Sequence, residues 1–539
     1  MGKASGRRMD ARGFLRRLGP PCLSDWFNMT GTHSKKGQRA VAADVCARLS
    51  GRVTLEAQAD GKIAACFEGF SVGLGTFSAD AADRAQDLRK GLRLASFASG
   101  DPLPARGATT GDGASLVVAR KRGKGVDNEI DLLVRRLARH GLLEYSLRDL
   151  RNGADRVVIE PQAADYWPRI SPLGDADLLV LSRFAYMRRR GSEMVLESPR
   201  AGALFKICDP KIAAAIAALS TPQHIKRLRR QDGFPGVELL ALLTDCQILF
   251  KIGAPADRGL RTAEGDHDLV LWDFHDLLFH TRSTQGRHAN PLGGVYPYAG
   301  VISPLPAVRP QWSGERIDLG ELLRAQPQTA SPAARLLRER HSTRSFDDKR
   351  PITLAELSRF LDSTARVLST SKKGAGFGDG GPVVEYATRP YPSAGSSCEL
   401  ELYLAVDKCE GLSRGFYHYD AGTHALVSIA TRPGELEALL AGAVFAMDAP
   451  AAPQILITIA ARFGRVSWKY RSIAYALILK DVGVLIQTLY LMATDMGLGG
   501  CAIGITNIDL FAKMTGIEIH VEGPVGQFAI GRAGPNAPG

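Results

Sequence analysis

Twenty-two residues near the C-terminal end, Ile473–Thr494, make one apolar stretch that reads as a single long helix. Lys480 and Asp481 interrupt it, so it lacks the roughly 18 uncharged apolar residues that a bilayer span needs. A helix this apolar must be covered by protein, and it needs a large partner surface. Gly483 permits close packing along it, and Gly497 to Gly500 ends it before a strand-like run, Cys501–Ile505. Other strand-like runs are Leu400–Val406, Gln454–Ala460 and Gly526–Ile530. Helices precede them: Ser331–Arg340 has a Ser cap followed by Pro, and Thr353 with Glu356 makes a capping box. This pattern predicts an α+β domain over residues 331–539.

Three small segments carry chemistry. The first is Arg340-His341-Ser342-Thr343-Arg344, where positions 340, 342 and 344 share one face of an extended chain. Two guanidinium groups around a hydroxyl suit a phosphate, because each offers forked donors and a permanent charge. The second is Pro392-Ser393-Ala394-Gly395, just before the Leu400 strand. The third is Gly497-Leu498-Gly499-Gly500. Small residues there let backbone approach a flat ring closely.

In this order the three segments resemble the FMN cradle of the nitroreductase superfamily, and most closely its SagB/ThcOx-type branch of azoline oxidases. The resemblance implies a central mixed β-sheet flanked by helices. It also implies a homodimer built around the long helix, and FMN as cofactor. Gly531-Arg532 resembles the terminal element that reaches the FMN phosphate, which adds Arg532 to the cofactor residues. Trp468-Lys469-Tyr470-Arg471 resembles the Lys-Tyr pair of active azoline oxidases. Aromatising a thiazoline or oxazoline removes a proton from carbon and passes a hydride to flavin. Lys469 is the expected base, its pKa lowered by burial or by Arg462, Arg465 and Arg471 nearby. Tyr470 is expected to orient the ring or relay the proton.

The chain before residue 331 is read in four parts. Residues 1–38 form a basic tail, with Lys3, Arg7, Arg8 and Arg12 and no secretory signal. Residues 39–170 contain strand-like runs at Arg52–Gln58, Lys62–Phe67 and Ser115–Ala119, then a helix from Asn128 to His140. Residues 171–255 combine a hairpin, Met194–Ile207, with helices Pro210–Leu219 and Val237–Leu243 and a strand at Ile248–Ile252. Both blocks suggest winged-helix-like modules. The SagB-type resemblance implies that such modules bind the leader of a precursor peptide, and the hairpin edge is where a strand can be added. Residues 256–330 read as a connecting segment, Pro-rich from Val301.

Lys and Arg total 68 against 56 Asp and Glu, a basic balance that suits an anionic cofactor or an acidic peptide. Nucleic acid is not expected, since Pro210–Leu219 carries only Lys211 where a recognition helix would be basic. The eight scattered cysteines lack CxxC pairs, and His275, Asp276 and His280 lack a third-ligand pattern, so no metal is expected. The expectation is a cytoplasmic enzyme, with O2 as electron acceptor and a cyclodehydratase as a possible partner. Two alternatives remain. One is an NAD(P)H oxidoreductase of small electron-poor compounds. The other is a non-catalytic peptide-binding scaffold.

Overall fold

The computed structural model describes residues 43–93, 125–253, 264–285, 296–324, 331–374 and 381–534, apart from a few short gaps within these spans. The basic tail and the Ser115–Ala119 run lie outside the described residues. The seven cysteines within them are all free thiols.

The N-terminal half is built on one seven-stranded sheet. Its spatial order is Leu92–Arg93, Ala43–Leu49, Leu143–Asp149, Asp155–Pro161, Ala203–Ile207, Glu193–Glu197 and Tyr186–Arg190, every neighbour antiparallel. The amphipathic helix Gly125–Arg139 covers it with Ile130, Leu133, Val134 and Leu137, and Gly141 stops the helix at φ +65.

This sheet corrects two expectations. The boundary at residue 170 falls inside one sheet and one core, because Val157 to Pro161 pair with Ala203 to Ile207 across it. The pairing is non-local, so a strand's own pattern does not announce it. The hairpin, in turn, offers no free edge. Ala203–Ile207 is paired on both sides, and so is Glu193–Glu197. The edge on that side is the next strand, Tyr186–Arg190.

The predicted helices do form, at Pro210–Ala217 and Val237–Asp245, and Asp209 caps the first through its side chain at 2.9 Å. They accompany a separate three-stranded sheet of Gln223–His224, Leu178–Leu181 and Leu249–Ile252. The hairpin that was to serve as their wing belongs to the other sheet.

The C-terminal half has a six-stranded sheet in the order Ala425–Ile429, Gly415–Asp420, Leu400–Val406, Ile455–Arg462, Glu522–Gly531 and Gly499–Ile503. All five pairings are antiparallel, where a mixed sheet was expected. The long helix Ala474–Asp495 packs across it, burying Ile478, Val482, Leu485 and Leu489. It is the one described helix long and apolar enough to cross a membrane, and its buried face carries Asp481.

Part of the expected connection is core. Leu269, Trp272 and Leu277 are buried with Phe463 and Tyr475, and the Trp272 indole donates to the His520 carbonyl at 2.8 Å. Residues 296–324, by contrast, expose their apolar side chains, including Val301, Leu305 and Ile317. Ser369–Gly374 forms a two-stranded sheet with Val383–Thr388.

Candidate functional site

The candidate residues gather into two groups on the long helix. In the first, helix Pro332–Glu339 is capped by Ser331, whose hydroxyl accepts the Ala334 N–H at 3.1 Å. The chain then runs extended through Arg340, Ser342 and Arg344. It is pinned where the Thr343 N–H donates to the Gly500 carbonyl at 2.8 Å. Ser342 lies 2.8 Å, hydroxyl to hydroxyl, from Tyr490, and Arg340 covers the Tyr490 ring at 5.0 Å. The Tyr490 oxygen also accepts the Ala502 N–H at 2.8 Å, so its own proton is free for Ser342.

Gly497 ends the helix at φ +67, and Leu498 is buried behind it. A Cβ on Gly500 would stand 2.4 Å from the Phe528 ring, and one on Gly499 2.6 Å from Thr343. Neither Arg340 nor Arg344 has a carboxylate partner among the described residues. Arg340 over the Tyr490 ring, Ser342 on the Tyr490 hydroxyl and the exposed Arg344 two residues on are groups that fit the phosphate of FMN. Arg532 does not join them. Its guanidinium holds both oxygens of Glu356 at 2.8 and 2.9 Å, and that carboxylate is kept below its usual range, burial being outweighed by Thr353 and Arg532.

The second group surrounds Pro392 to Gly395. Pro392 is exposed ahead of the turn. The Ser393 hydroxyl accepts the Cys398 N–H at 3.0 Å, and the Ala394 N–H donates to Asp481 at 2.8 Å. Gly395 sits at φ +58, and its carbonyl accepts from the Lys469 amine at 3.4 Å. A Cβ there would lie 2.5 Å from both the Lys469 nitrogen and the Tyr470 oxygen. Only glycine fits, and that contact brings loop and pair together.

Gly395 and Lys469 line a cavity of about 510 Å³, together with Tyr386, Trp468 and Arg465. Lys469 faces the Tyr386 ring at 5.6 Å. A second cavity of about 440 Å³ shares Tyr386, Arg462, Arg465 and Glu522 with the first. Burial pushes the Glu522 carboxyl up, and Tyr403 donates to it at 2.6 Å.

The surroundings of Lys469 differ from those expected. The residue is exposed on the cavity wall rather than buried. Arg462 and Arg465 line the same cavity, but all three arginines are engaged by acceptors: Arg465 by the carbonyls of Ser397 and Glu385, Arg462 by Glu401 and Arg471 by Asp273. Each found an acceptor on an element that sequence distance did not reveal. The histidines are likewise occupied, His275 with the Ser472 carbonyl and His280 with the Tyr475 hydroxyl. No metal-binding cluster occurs among the described residues.

Asp481 and Tyr490 mark the two groups on the helix. Nine residues separate them, about two and a half turns, so they leave it in opposite directions. No hydrogen bond or ion pair among the described residues joins the groups. Sequence reasoning missed Tyr386, Tyr490, Glu399 and the role of Asp481. The only signal was the carboxylate inside an apolar helix.

Comparison with known proteins bears on this arrangement. The model of the cyanobactin oxidase ThcOx matches residues 179–289, and that of the nitroreductase family matches residues 337–532. The MJ1384 protein of Methanocaldococcus jannaschii, which carries a nitroreductase name, is 32% identical over 169 residues, 31% of this chain and 76% of its own. A crystal structure from Ralstonia eutropha with a nitroreductase name is 21% identical, covering 39% of this chain and 87% of its own at a TM-score of 0.28. The E. coli microcin synthetase McbBCD complex with truncated pro-MccB17 bound is 18% identical, with 50% and 96% covered and a TM-score of 0.35. The chain belongs to the nitroreductase family, and it carries a cyanobactin-oxidase segment ahead of its nitroreductase domain.

Proposed function

We propose that the chain is an FMN-dependent dehydrogenase that converts thiazoline or oxazoline rings of a ribosomally made peptide to azoles. The observation that carries this reading is the meeting of the Lys469 amine and the Tyr470 hydroxyl with the Gly395 turn, beside a cavity that Gly395 and Lys469 line. FMN, when bound, supplies the hydride acceptor. Arg340, Ser342 and Arg344 hold its phosphate, and the Pro392–Gly395 and Gly497–Gly500 turns lie against its ring. Arg532 adds to the phosphate site only by giving up Glu356. Lys469 takes the proton from the ring carbon, and Tyr470 donates to a ring heteroatom and fixes its orientation. An amine at an open wall can exchange its proton with solvent between turnovers.

Two copies complete the site. The groups at Asp481 and Tyr490 face opposite ways, so one cofactor touching both kinds of wall draws them from two chains. The peptide enters between the Val383–Thr388 strand and Trp468, and its leader adds to the free edge Tyr186–Arg190, whose exposed Arg189 favours an acidic segment. The enzyme works in the cytoplasm beside a cyclodehydratase, with O2 taking the electrons.

The test is anaerobic. The FMN-loaded protein is mixed with a synthetic azoline peptide, and separately with NADH and NADPH. Bleaching by the peptide alone is expected. Bleaching by NAD(P)H alone would favour a small-molecule reductase, and protein that takes up no FMN would favour a scaffold.

A further inference from the structure

The buried face of the long helix carries one carboxylate, Asp481, only 7% exposed. Its Oδ2 accepts the Ala394 N–H at 2.8 Å, at the turn whose next residue meets Lys469 and Tyr470. Glu399, at the end of the same loop, is fully buried. Beyond its own backbone N–H, no N–H or hydroxyl group among the described residues donates to its carboxyl. Its carboxyl lies within hydrogen-bonding reach of Asp481.

The charges around the pair are few. Arg389 is the nearest cation, and it donates Nη1 to the Leu400 carbonyl at 2.9 Å while Nη2 faces Glu401 at 3.9 Å. Tyr391 and Cys398 complete the loop side. Arg462, on the neighbouring strand, pairs with Glu401 at 3.7 Å, and Lys480, beside Asp481 in sequence, is exposed. Two carboxylates in contact and out of water cannot both stay charged. A carboxyl-to-carboxylate hydrogen bond resolves the conflict and satisfies Glu399.

We propose that Glu399 and Asp481 share one proton and act as a positioning pair for the Ala394–Ser396 turn. Glu399 carries the proton and donates to Asp481. Asp481 stays ionised, because the Ala394 N–H also donates to it. The inference rests on the proposed cofactor site only in taking this turn as one of its walls.

Burial, helped by Asp481 and opposed by Glu399's own backbone N–H and by Arg389, pushes the Glu399 carboxyl up to about 7. In the unfolded chain it titrates at about 4.3. Between those values the unfolded chain releases the proton and the folded chain keeps it. The stability contributed by the shared proton is therefore complete below the lower value, and falls as pH rises toward 7. Above 7 two anions face each other and the turn loses its anchor. Glu399→Gln keeps a donor for Asp481 and has no proton to lose.

The experiment uses the full chain, with thermal melts of wild type, Glu399→Gln and Asp481→Asn from about pH 5 to about pH 8.5 without added flavin. The melting temperature of Glu399→Gln is expected to gain on wild type steadily up to about pH 7 and then level off. FMN titrations add a second readout. The wild-type Kd is expected to rise about three- to ten-fold between about pH 6.5 and about pH 8, and that of Glu399→Gln to stay flat, since one pH unit past a titration is a factor of ten. Parallel pH profiles for wild type and Glu399→Gln would overturn the pair. An infrared titration of wild type needs no variant: a protonated carboxyl band lost through about pH 7 is expected, and its absence also overturns the proposal. If the chain takes no FMN at any pH, the cofactor reading fails, while the melts and the infrared band still decide the pair.

Discussion

Single side chains at the two ends of the site carry separable roles. Arg340→Ala and Arg344→Ala should each weaken FMN binding by about 1.5–3 kcal/mol, the worth of a hydrogen bond to a charged group. Equilibrium dialysis of the flavin checks this, and an unchanged Kd in both would remove the phosphate assignment. Lys469→Ala should keep its FMN and its yellow spectrum, and lose about 10²–10⁴-fold in azoline-driven flavin reduction. Lys469→Arg should fail nearly as badly, because a guanidinium does not give up its proton at working pH. Tyr470→Phe keeps the ring and removes only the hydroxyl that touches the Gly395 turn. Normal reduction rates in Lys469→Ala and Tyr470→Phe would make the pair structural. The spacing of Arg340, Ser342 and Arg344 was legible from alternation in an extended chain. The environment of Lys469 was not, because the acceptors of Arg462, Arg465 and Arg471 lie on the Leu400 strand, the Val383–Thr388 strand, the Ser397 turn and the Phe274 helix.

At the scale of elements, the strand Tyr186–Arg190 replaces the hairpin as the edge to test. Arg188 is held by the buried Glu197 at 2.7 Å, whereas Arg189 is exposed and open to a peptide. Arg189→Asp should weaken binding of an acidic leader about two- to five-fold at low salt, the worth of an exposed ion pair, with the thermal melt unchanged. Fluorescence anisotropy with labelled leader reads this, and an unaltered affinity would move the docking site elsewhere. Removing the whole N-terminal half is a poorer test. Phe184 and Leu269 are buried in the C-terminal core, and Arg183 donates to the carbonyls of Leu269 and Trp272 at 2.7 and 2.9 Å. A chain starting at residue 271 should therefore lack a cooperative melt.

For the whole molecule, the long helix leaves one stripe uncovered. Ala476, Gly483 and Val484 are exposed on it, and nothing lies within 4 Å of a Cβ placed on Gly483. Residues 296–324 expose a further run of apolar side chains, Val301 at 82% and Leu305 at 92% among them. Exposed apolar side chains of this kind suit an interface. The proposed homodimer would cover the stripe and bring opposite walls of two half-sites together. Val484→Asp should shift sedimentation toward monomer and lower FMN occupancy with it. A monomer with full flavin occupancy would contradict the shared site.

Periodicity and caps determined which segments became helices and strands. The alternation of Leu400–Val406, the Ser331 and Thr353 caps and the apolar length after Ile473 are local properties, and each produced its element close to the expected bounds. Glycine positions also announced themselves, since Gly395 and Gly500 leave no room for a Cβ. Tertiary structure alone decided what those elements met. The seven-stranded sheet joins strands across the expected boundary, and the hairpin lost its free edge to Tyr186–Arg190. It also set a carboxylate of the Ser393–Glu399 loop against one on a helix about eighty residues further along. Strand partners and the acceptor of each charge depend on contacts between residues far apart in the chain. Local sequence sets what a segment can form, and packing sets which partner satisfies it.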